Sequence, residues 1–380
     1  MRNSNPVFKD KTKLSFKSAL MLVSISTLFA IFLVEVITRA MPQLIPLPIR
    51  IYFVDENYIK WGLAPDKDLG LKYAPGLENF PTPFDDDLGQ KSSYPVSTVS
   101  LGYPDAGFRD DGIDKQTFAV VIGDSFASCA GVKMKECWVE ALEQQSGLDF
   151  ANLGVITYGP QQTQRMLDKY GLPLKPKLVA WVFFANDPDD AWRFNQFGKA
   201  AAREGRFWES PIRSWLLQHS NTYMISVFFW YNRRFFYNLA IRDGEKLPLQ
   251  SNLVWWQTVT DPTNPDALEG LELTKNSILK ARDQAQLNDA KFVLIIIPTR
   301  EQLYFKDTIL QSQLDALTQK MVAFGQQHNI PVIDLTPELR NRIDHEPFLY
   351  FRHDLHLNPR GNEIVAEYLQ QHLTAMALNQ

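Results

Sequence analysis

Hydrophobic and polar positions give the chain three successive textures. Residues 18–37 (SALMLVSISTLFAIFLVEVI) are an apolar run whose one charge, Glu35, lies near its end. About 20 such residues are what a helix needs to cross a bilayer core. The run has no polar stripe, so a buried amphipathic core helix is the weaker reading. Residues 39–115 carry scattered prolines (Pro42, Pro46, Pro48, Pro65, Pro75, Pro81, Pro83, Pro95) and short strand-like pieces. Proline fixes φ and removes a backbone donor, so this segment is predicted to be extended and loop-rich, a stalk plus a wrapping extension. After residue 115 the texture becomes short, β-branched apolar runs: 118–122 (FAVVI), 178–184 (LVAWVFF), 292–297 (FVLIII), 331–335 (PVIDL) and a weaker one at 149–153 (DFANL).

Runs of that length, apolar on both faces, read as strands covered by helices on both sides. Helical patterns lie between them at 136–145, 161–170, 269–286 and 311–327, and a last one follows Pro359 to about Met376. The alternation predicts an α/β domain of three layers, α/β/α, around a five-stranded, mainly parallel sheet. Residues 190–265 break the alternation and are expected to be a helical insertion. It holds the aromatic-basic run 228–237 (FFWYNRRFFY), for which packing on the core is favoured over a cleft wall or a membrane-resting surface.

Charge assigns sides to the apolar run. Five basic residues precede it, Arg2, Lys9, Lys11, Lys13 and Lys17. By the positive-inside rule, residues 1–17 stay in the cytoplasm, 18–38 span the membrane as a signal anchor, and the rest is exported. A removed signal peptide is the rival reading, although the run exceeds the usual signal core. The predicted location is therefore the cytoplasmic (inner) membrane, with residues 39–115 and a main domain at 116–376 in the periplasm. The formal net charge of −4 and the lack of a long Lys/Arg run exclude general nucleic-acid binding. The only two cysteines are Cys129 and Cys137; a disulfide and a pair of small buried side chains both remain open. No phosphate loop or dinucleotide fingerprint is present, and no cofactor or metal is expected.

Ligands of an open parallel sheet sit outside the carboxyl ends of its strands. Four predicted strand ends carry polar blocks: Gly123-Asp124-Ser125, Asn152-Leu153-Gly154, Asn186-Asp187, and His353-Asp354-Leu355-His356-Leu357-Asn358-Pro359 before the last helix. Ser, Gly, Asn and an Asp/His pair form the inventory of an acyl-transfer site. In these blocks and their order, residues 115–376 resemble the SGNH/GDSL hydrolase family. They are most similar to its membrane-anchored, exported members that act on O-acyl groups of polysaccharides, including the alginate-acetylation type. The resemblance implies a flavodoxin-like SGNH fold.

A serine hydroxyl is a poor nucleophile until a nearby base takes its proton. Ser125 is the expected nucleophile, His356 its base, and Asp354 the group that orients the imidazole. The resemblance adds an oxyanion hole made of the Ser125 and Gly154 N–H groups and the Asn186 side-chain amide. Two departures stand out. The family's final block is usually Asp-x-x-His, whereas Asp354 and His356 are two apart, a spacing that still shares one side of an extended segment. Phe184 stands where the third block usually has glycine. Gly-x-Ser-x-Ala around Ser125 also lacks the second glycine of an α/β-hydrolase elbow. His353 is expected to face away, Asp187, Asp189 and Asp190 to form a solvated turn, the 85–87 acid run likewise, and Arg109 to buttress the fold.

The expected function is a serine esterase or O-acyltransferase that acts on acyl (acetyl) groups of a cell-surface or exported carbohydrate through an acyl-serine intermediate. A transferase would need a membrane acyl-carrier partner. The rival readings are a non-catalytic polysaccharide-binding scaffold and a lipid esterase.

Overall fold

The computed structural model describes residues 15–41, 44, 61–85, 91–113, 116–195, 215–216, 219–231, 263–304, 309–346, 348–352 and 354–378. The first apolar run is one helix, α1 (Phe16–Ala40), whose start is capped by Ser15 accepting the Ser18 N–H. Its large apolar side chains are exposed, and it is long and apolar enough to cross a membrane; a signal sequence would look the same.

The proline-bearing segment is more regular than its composition predicts. β1 (Leu63–Asp66) pairs with β2 (Gly70–Tyr73), and β3 (Phe80–Asp85) with β4 (Lys91–Val96), in two antiparallel ribbons. A strand of a two-stranded ribbon has one free edge, so Pro65, Pro81, Pro83 and Pro95 fit without costing the ladder its donors.

The main sheet has five strands: β5 (Ala119–Ile122), β6 (Phe150–Asn152), β7 (Leu178–Phe183), β8 (Lys291–Ile296) and β9 (Val332–Asp334). Their order is β6-β5-β7-β8-β9, and every pairing is parallel. Successive residues point to opposite faces, so each strand feeds two cores. Val120, Ile122, Val179, Trp181, Phe183, Leu294 and Ile296 enter one, and Ala119, Val121, Ala180, Val182, Val293 and Ile295 the other.

Helices cover both faces, as the apolar runs require. The helices after α1 are α2 (Trp138–Ser146), α3 (Pro160–Met166), α4 (Asp187–Arg193), α5 (Asn221–Tyr231, which lies against α1 and not on the sheet), α6 (Pro265–Leu287), α7 (Arg300–Tyr304), α8 (Ile309–Gln327), α9 (Thr336–Arg342) and α10 (Pro359–Leu378). Met166, Ile278 and Met321 bring α3, α6 and α8 to the first core; Trp138 and Ile364 bring α2 and α10 to the second. The short helices α4, α7 and α9 escape the sequence pattern, because one or two turns do not establish a 3.6-residue period. Of the predicted insertion at 190–265, residues 196–214, 217–218 and 232–262 lie outside the described part. So do Asp86 and Asp87 of the acid run.

The extension is fastened to the domain through residues 98–112. Val99 and Phe108 form an isolated bridge, and the Gly107 N–H donates to the Tyr73 carbonyl at 3.1 Å. Asp110 then reaches the edge strand: its carboxyl accepts the Asn152 N–H at 2.7 Å and the Gly112 N–H at 2.8 Å.

Two predictions follow from this packing. A Cβ on Gly270 of α6 would lie 2.0 Å from the Pro188 carbonyl oxygen of α4. Gly270→Ala is therefore expected to destabilise the fold by about 1–3 kcal/mol despite the better helix propensity of alanine, read as a lowered midpoint in thermal or urea unfolding. The second concerns pH. Burial, reinforced by neighbouring carboxylates, pushes Asp110, Glu140 and Glu143 each up to about 7, against the N–H donors that pull Asp110 and Glu143 down. Between pH of about 4 and 7 the folded chain then holds protons that the unfolded chain releases, so stability falls as pH rises through that window. The thermal midpoint should climb from pH 8 to pH 5.5, with a shallower slope in Asp110→Asn; a flat or inverted profile would refute the assignment.

Candidate active site

The strand order reverses between β5 and β7, and the crevice outside a parallel sheet opens at such a switch point. The first and third polar blocks leave the sheet there. Gly123 follows β5 where there is no room for a side chain: a Cβ would stand 3.0 Å from Ala127 Cβ and from Val182 Cβ. The chain then turns sharply, with Ser128 N–H donating to the Asp124 carbonyl (3.0 Å) and Ala130 N–H to the Ser125 carbonyl (2.9 Å). Every residue from 117 to 132 is buried except Ser125. A turn that buries everything else and leaves one hydroxyl partly open offers that hydroxyl to a ligand.

Asp124 is the hub of this rim. One carboxyl oxygen accepts the Phe126 N–H at 2.9 Å; the other accepts from Ser125 Oγ at 3.5 Å and Asn186 Nδ2 at 3.2 Å. Burial pushes its pKa up, opposed by the Phe126 and Asn186 donors and by nearby His356. Asn186 sends a second N–H to Asp190 Oδ2 at 2.7 Å. It stands at the N-cap position of α4, but its side chain does not cap the helix; it faces the other carboxylates.

Gly154 also abuts the turn. A Cβ there would come within 2.5 Å of Ala127 Cβ and of the Ser128 nitrogen, so only glycine lets the two loops touch. Its N–H donates to Asn152 Oδ1 at 3.0 Å, while Asn152 Nδ2 donates to the Ala127 carbonyl at 2.9 Å. In this state both expected oxyanion donors outside the Ser125 backbone are engaged within the protein: Gly154 with Asn152, and Asn186 with Asp124 and Asp190.

The last block reaches the same rim from the far end of the chain. Leu357 bridges Tyr350, and Phe351 N–H donates to the His356 carbonyl at 3.0 Å, so the block is held as a short extended pair before Pro359 opens α10. Asp354 accepts both the His356 backbone N–H, at 3.0 Å, and a hydrogen bond with His356 Nδ1. Burial raises the Asp354 pKa, yet His356 and then Arg300 outweigh it and hold the carboxyl below its usual range. The imidazole packs on Phe126, the residue after Ser125, with ring centroids 5.1 Å apart. Its Nε2 is buried without a hydrogen-bond partner. Phe184 is buried too and stacks on the other side chain of this group, Phe126, at 3.7 Å. His353 lies outside the described residues.

Two supporting residues, Arg300 and Asn362, lie outside the blocks read from the sequence. Arg300, four residues beyond β8, donates through Nη1 to the Arg352 carbonyl at 2.7 Å and, at 3.3–3.4 Å, to those of Phe351 and Asp354, and its other end pairs with Glu301. The strand-end rule, applied to β8 as well, would have found it. Asn362 of α10 accepts the Trp138 N–H at 3.2 Å and donates to the Leu357 carbonyl at 3.0 Å. Arg109 is buried and donates to the carbonyls of Ser128, Cys129 and Val132, so it buttresses the loop behind Ser125. Cys129 and Cys137 form a disulfide across the same loop. The expected solvated turn at Asp187, Asp189 and Asp190 is corrected: Asp187 and Asp189 are buried, the latter paired with Arg193 at 2.6 Å. They start a helix packed under α6, which shields them from water. Among the described residues no group of three or more His, Cys, Asp or Glu side chains is arranged to hold a metal ion.

Residues 256–380 match the family described as the SGNH hydrolase-like domain of the acetyltransferase AlgX; the matched part includes Asp354 and His356 and begins after Ser125, Gly154 and Asn186. No curated protein sequence matches the chain. Similar solved structures include a member of the lipolytic protein G-D-S-L family from Veillonella parvula DSM 2008, 14% identical, covering 68% of this chain and 98% of that one, with a TM-score of 0.39. The acetylxylan esterase Axe2 of Geobacillus stearothermophilus, solved as a catalytic mutant, is 12% identical (69% and 95% covered, TM-score 0.40). The psychrotrophic esterase EstA of Pseudoalteromonas sp. is 12% identical (70% and 100% covered, TM-score 0.38). The family match thus covers the C-terminal third of the chain, which supplies β8, β9 and the block with Asp354 and His356 to the wholly parallel sheet, and there the chain is similar to an SGNH hydrolase-like domain.

Proposed function

We propose that the chain cleaves or transfers O-acetyl groups of an exported carbohydrate through an acyl-enzyme on Ser125. The observation that carries this reading is the isolation of Ser125 as the one partly open residue in a buried turn, with the His356 ring packed on its neighbour. In the first half-reaction the Ser125 hydroxyl proton passes to His356 Nε2 while Oγ bonds to the acyl carbon. The carbonyl electrons move to oxygen, and collapse of the tetrahedral intermediate expels the leaving group, the sugar oxygen in hydrolysis or the donor's acyl-bearing atom in transfer, which takes the proton back from His356. Asp354, held ionised, keeps Nδ1 protonated and so leaves Nε2 free to act as base.

The oxyanion would take hydrogen bonds from the Ser125 and Gly154 N–H groups and from Asn186. Since Gly154 and Asn186 now serve Asn152, Asp124 and Asp190, the carbonyl oxygen must share or displace those acceptors. The raised pKa of Asp124 favours its neutral form, which spares the developing negative charge a repulsive neighbour. In the second half-reaction water or a sugar hydroxyl attacks the acyl-serine, with His356 again removing the proton. Water makes the protein an esterase; a sugar makes it a transferase, which needs a membrane partner to deliver acyl groups across the bilayer.

We read α1 as an uncleaved anchor with the N-terminus in the cytoplasm and the main domain, residues 116–376, in the periplasm. The basic residues before it support that direction, and a structural disulfide suits an oxidising compartment. Hydrolysis of p-nitrophenyl acetate and of acetylated polysaccharide by the detergent-solubilised chain tests the chemistry. Ser125→Ala and His356→Ala should each lower kcat by at least roughly 10³-fold, and Asp354→Asn by roughly 10⁴-fold. Asn186→Ala should cost roughly 10²–10³-fold. An acetyl adduct on the Ser125 peptide, seen by mass spectrometry, would register the intermediate. Equal rates for wild type and Ser125→Ala would leave a binding scaffold as the better account.

A further inference from the structure

Glu35 is the single carboxylate of the apolar run, and α5 satisfies it. Its two oxygens accept hydrogen bonds from Asn221 N–H (3.3 Å), Thr222 N–H (2.9 Å) and Ser220 Oγ (3.1 Å), and from Arg39 Nε (2.7 Å). Arg39 also donates to the His219 carbonyl. Read from the other side, these contacts complete the start of α5. The first N–H groups of a helix have no partner inside it. Here Asn221 and Thr222 donate to Glu35, Tyr223 donates to Ser220 Oγ at 3.1 Å, and Met224 returns to the Ser220 carbonyl at 3.0 Å. A helix in water can leave such groups to solvent; one in lipid cannot.

The rest of α5 has the same character. Its sequence, NTYMISVFFWY, has no charge and no polar face, unlike a surface helix of a soluble domain. The Thr222 hydroxyl crosses to the Ile31 carbonyl of α1 (3.5 Å), and that of Ser226 turns back to the Thr222 carbonyl (2.7 Å), as those of Thr27 and Thr38 do within α1. Met224 is the only buried one among its described side chains, and Phe229 is 44% exposed. The anchor's own residues 20–30 remain exposed, so α5 meets α1 only near residues 31–38 and does not run down its length. Trp215, exposed and stacked on His219, stands at the level of Arg39, where aromatic side chains favour the membrane interface.

We propose that α5 is a second membrane-seated element. It lies in the lipid just beneath the headgroups beside the C-terminal end of the anchor, with the Glu35 carboxylate as its N-terminal cap. The occupant of its apolar surface is the bilayer, because that surface continues the exposed apolar surface of α1. Two lipid contacts instead of one restrict the swivelling of the exported domain about its anchor. The inference rests on the anchor reading of α1 and is independent of the catalytic assignment.

Site-directed spin labelling of the full chain in phosphatidylethanolamine/phosphatidylglycerol vesicles tests it. Cys129 and Cys137 are bonded to each other, so a single introduced cysteine takes the nitroxide. Labels at Phe229→Cys and, in the anchor, Phe29→Cys should be relaxed by oxygen and protected from a water-soluble nickel chelate; Lys280→Cys on the domain surface should show the reverse. Phe29 in lipid with Phe229 resembling Lys280 would overturn the proposal and leave the anchor intact. Protection of Phe229 from both reagents means packing on protein and overturns it equally. An aqueous Phe29 would remove the anchor and the proposal together. Glu35→Leu, which abolishes the cap, should raise nickel access at Phe229 several-fold over Glu35→Gln, which keeps an acceptor; no difference would refute the cap.

Discussion

One buried carboxyl holds the candidate site together. Asp124 sits buried just past the carboxyl end of β5 and accepts from three donors in two segments: the Phe126 N–H, Ser125 Oγ and Asn186 Nδ2. Through it the turn that bears Ser125 is tied to Asn186, which leaves the neighbouring strand β7. An isolated carboxylate in such a place would be costly, and the raised pKa is the sign of that cost. The donors around it are therefore obligatory partners, and their obligation fixes the geometry of the rim.

Two buried arginines extend the same logic to the loops. Arg109 grips three carbonyls behind the Ser125 turn, and Arg300 grips three in the block that carries Asp354 and His356. A guanidinium offers five donors in a rigid fork, so one side chain can set several peptide planes at once. Both sit outside the recognised blocks, yet they hold the two halves of the proposed triad. Arg109 comes from the proline-bearing extension, which makes that extension part of the active-site scaffold as well as a connector. The disulfide Cys129–Cys137 closes the same loop covalently, and Asn152 touches it through Cys137 Sγ at 3.8 Å.

The proposed catalytic groups are poised but internally occupied. His356 Nε2 has no partner, as a base awaiting a proton would have none, whereas Gly154 and Asn186 spend their donors on protein acceptors. A carbonyl oxygen entering the rim therefore exchanges hydrogen bonds instead of finding empty ones. Such exchange favours a ligand whose oxygen carries growing negative charge, since it outcompetes a neutral amide or carboxyl acceptor most strongly in the transition state. Phe126 and Phe184, stacked beneath, keep the floor of this region apolar.

What the sequence alone determined is what local pattern encodes. Apolar runs of strand length required a sheet buried on both faces, the 20-residue run required a lipid-length helix, and Gly123 and Gly154 stand where any Cβ would collide with the next loop. The proposed site residues Ser125, Asp354 and His356 stand in blocks that follow a strand or precede a helix, which is what drew attention to them. The tertiary structure alone decided what depends on partners distant in the chain. It turned the expected solvated acids at Asp187 and Asp189 into buried ones, and it drew ribbons from a proline-rich segment. It also joined Cys129 to Cys137, enlisted Arg300 as a clamp, gave the expected buttress Arg109 its three carbonyl partners, and set Glu35 against α5. Burial and hydrogen-bond partnership are properties of contacts between segments far apart along the chain, and local pattern carries no record of which segments will meet.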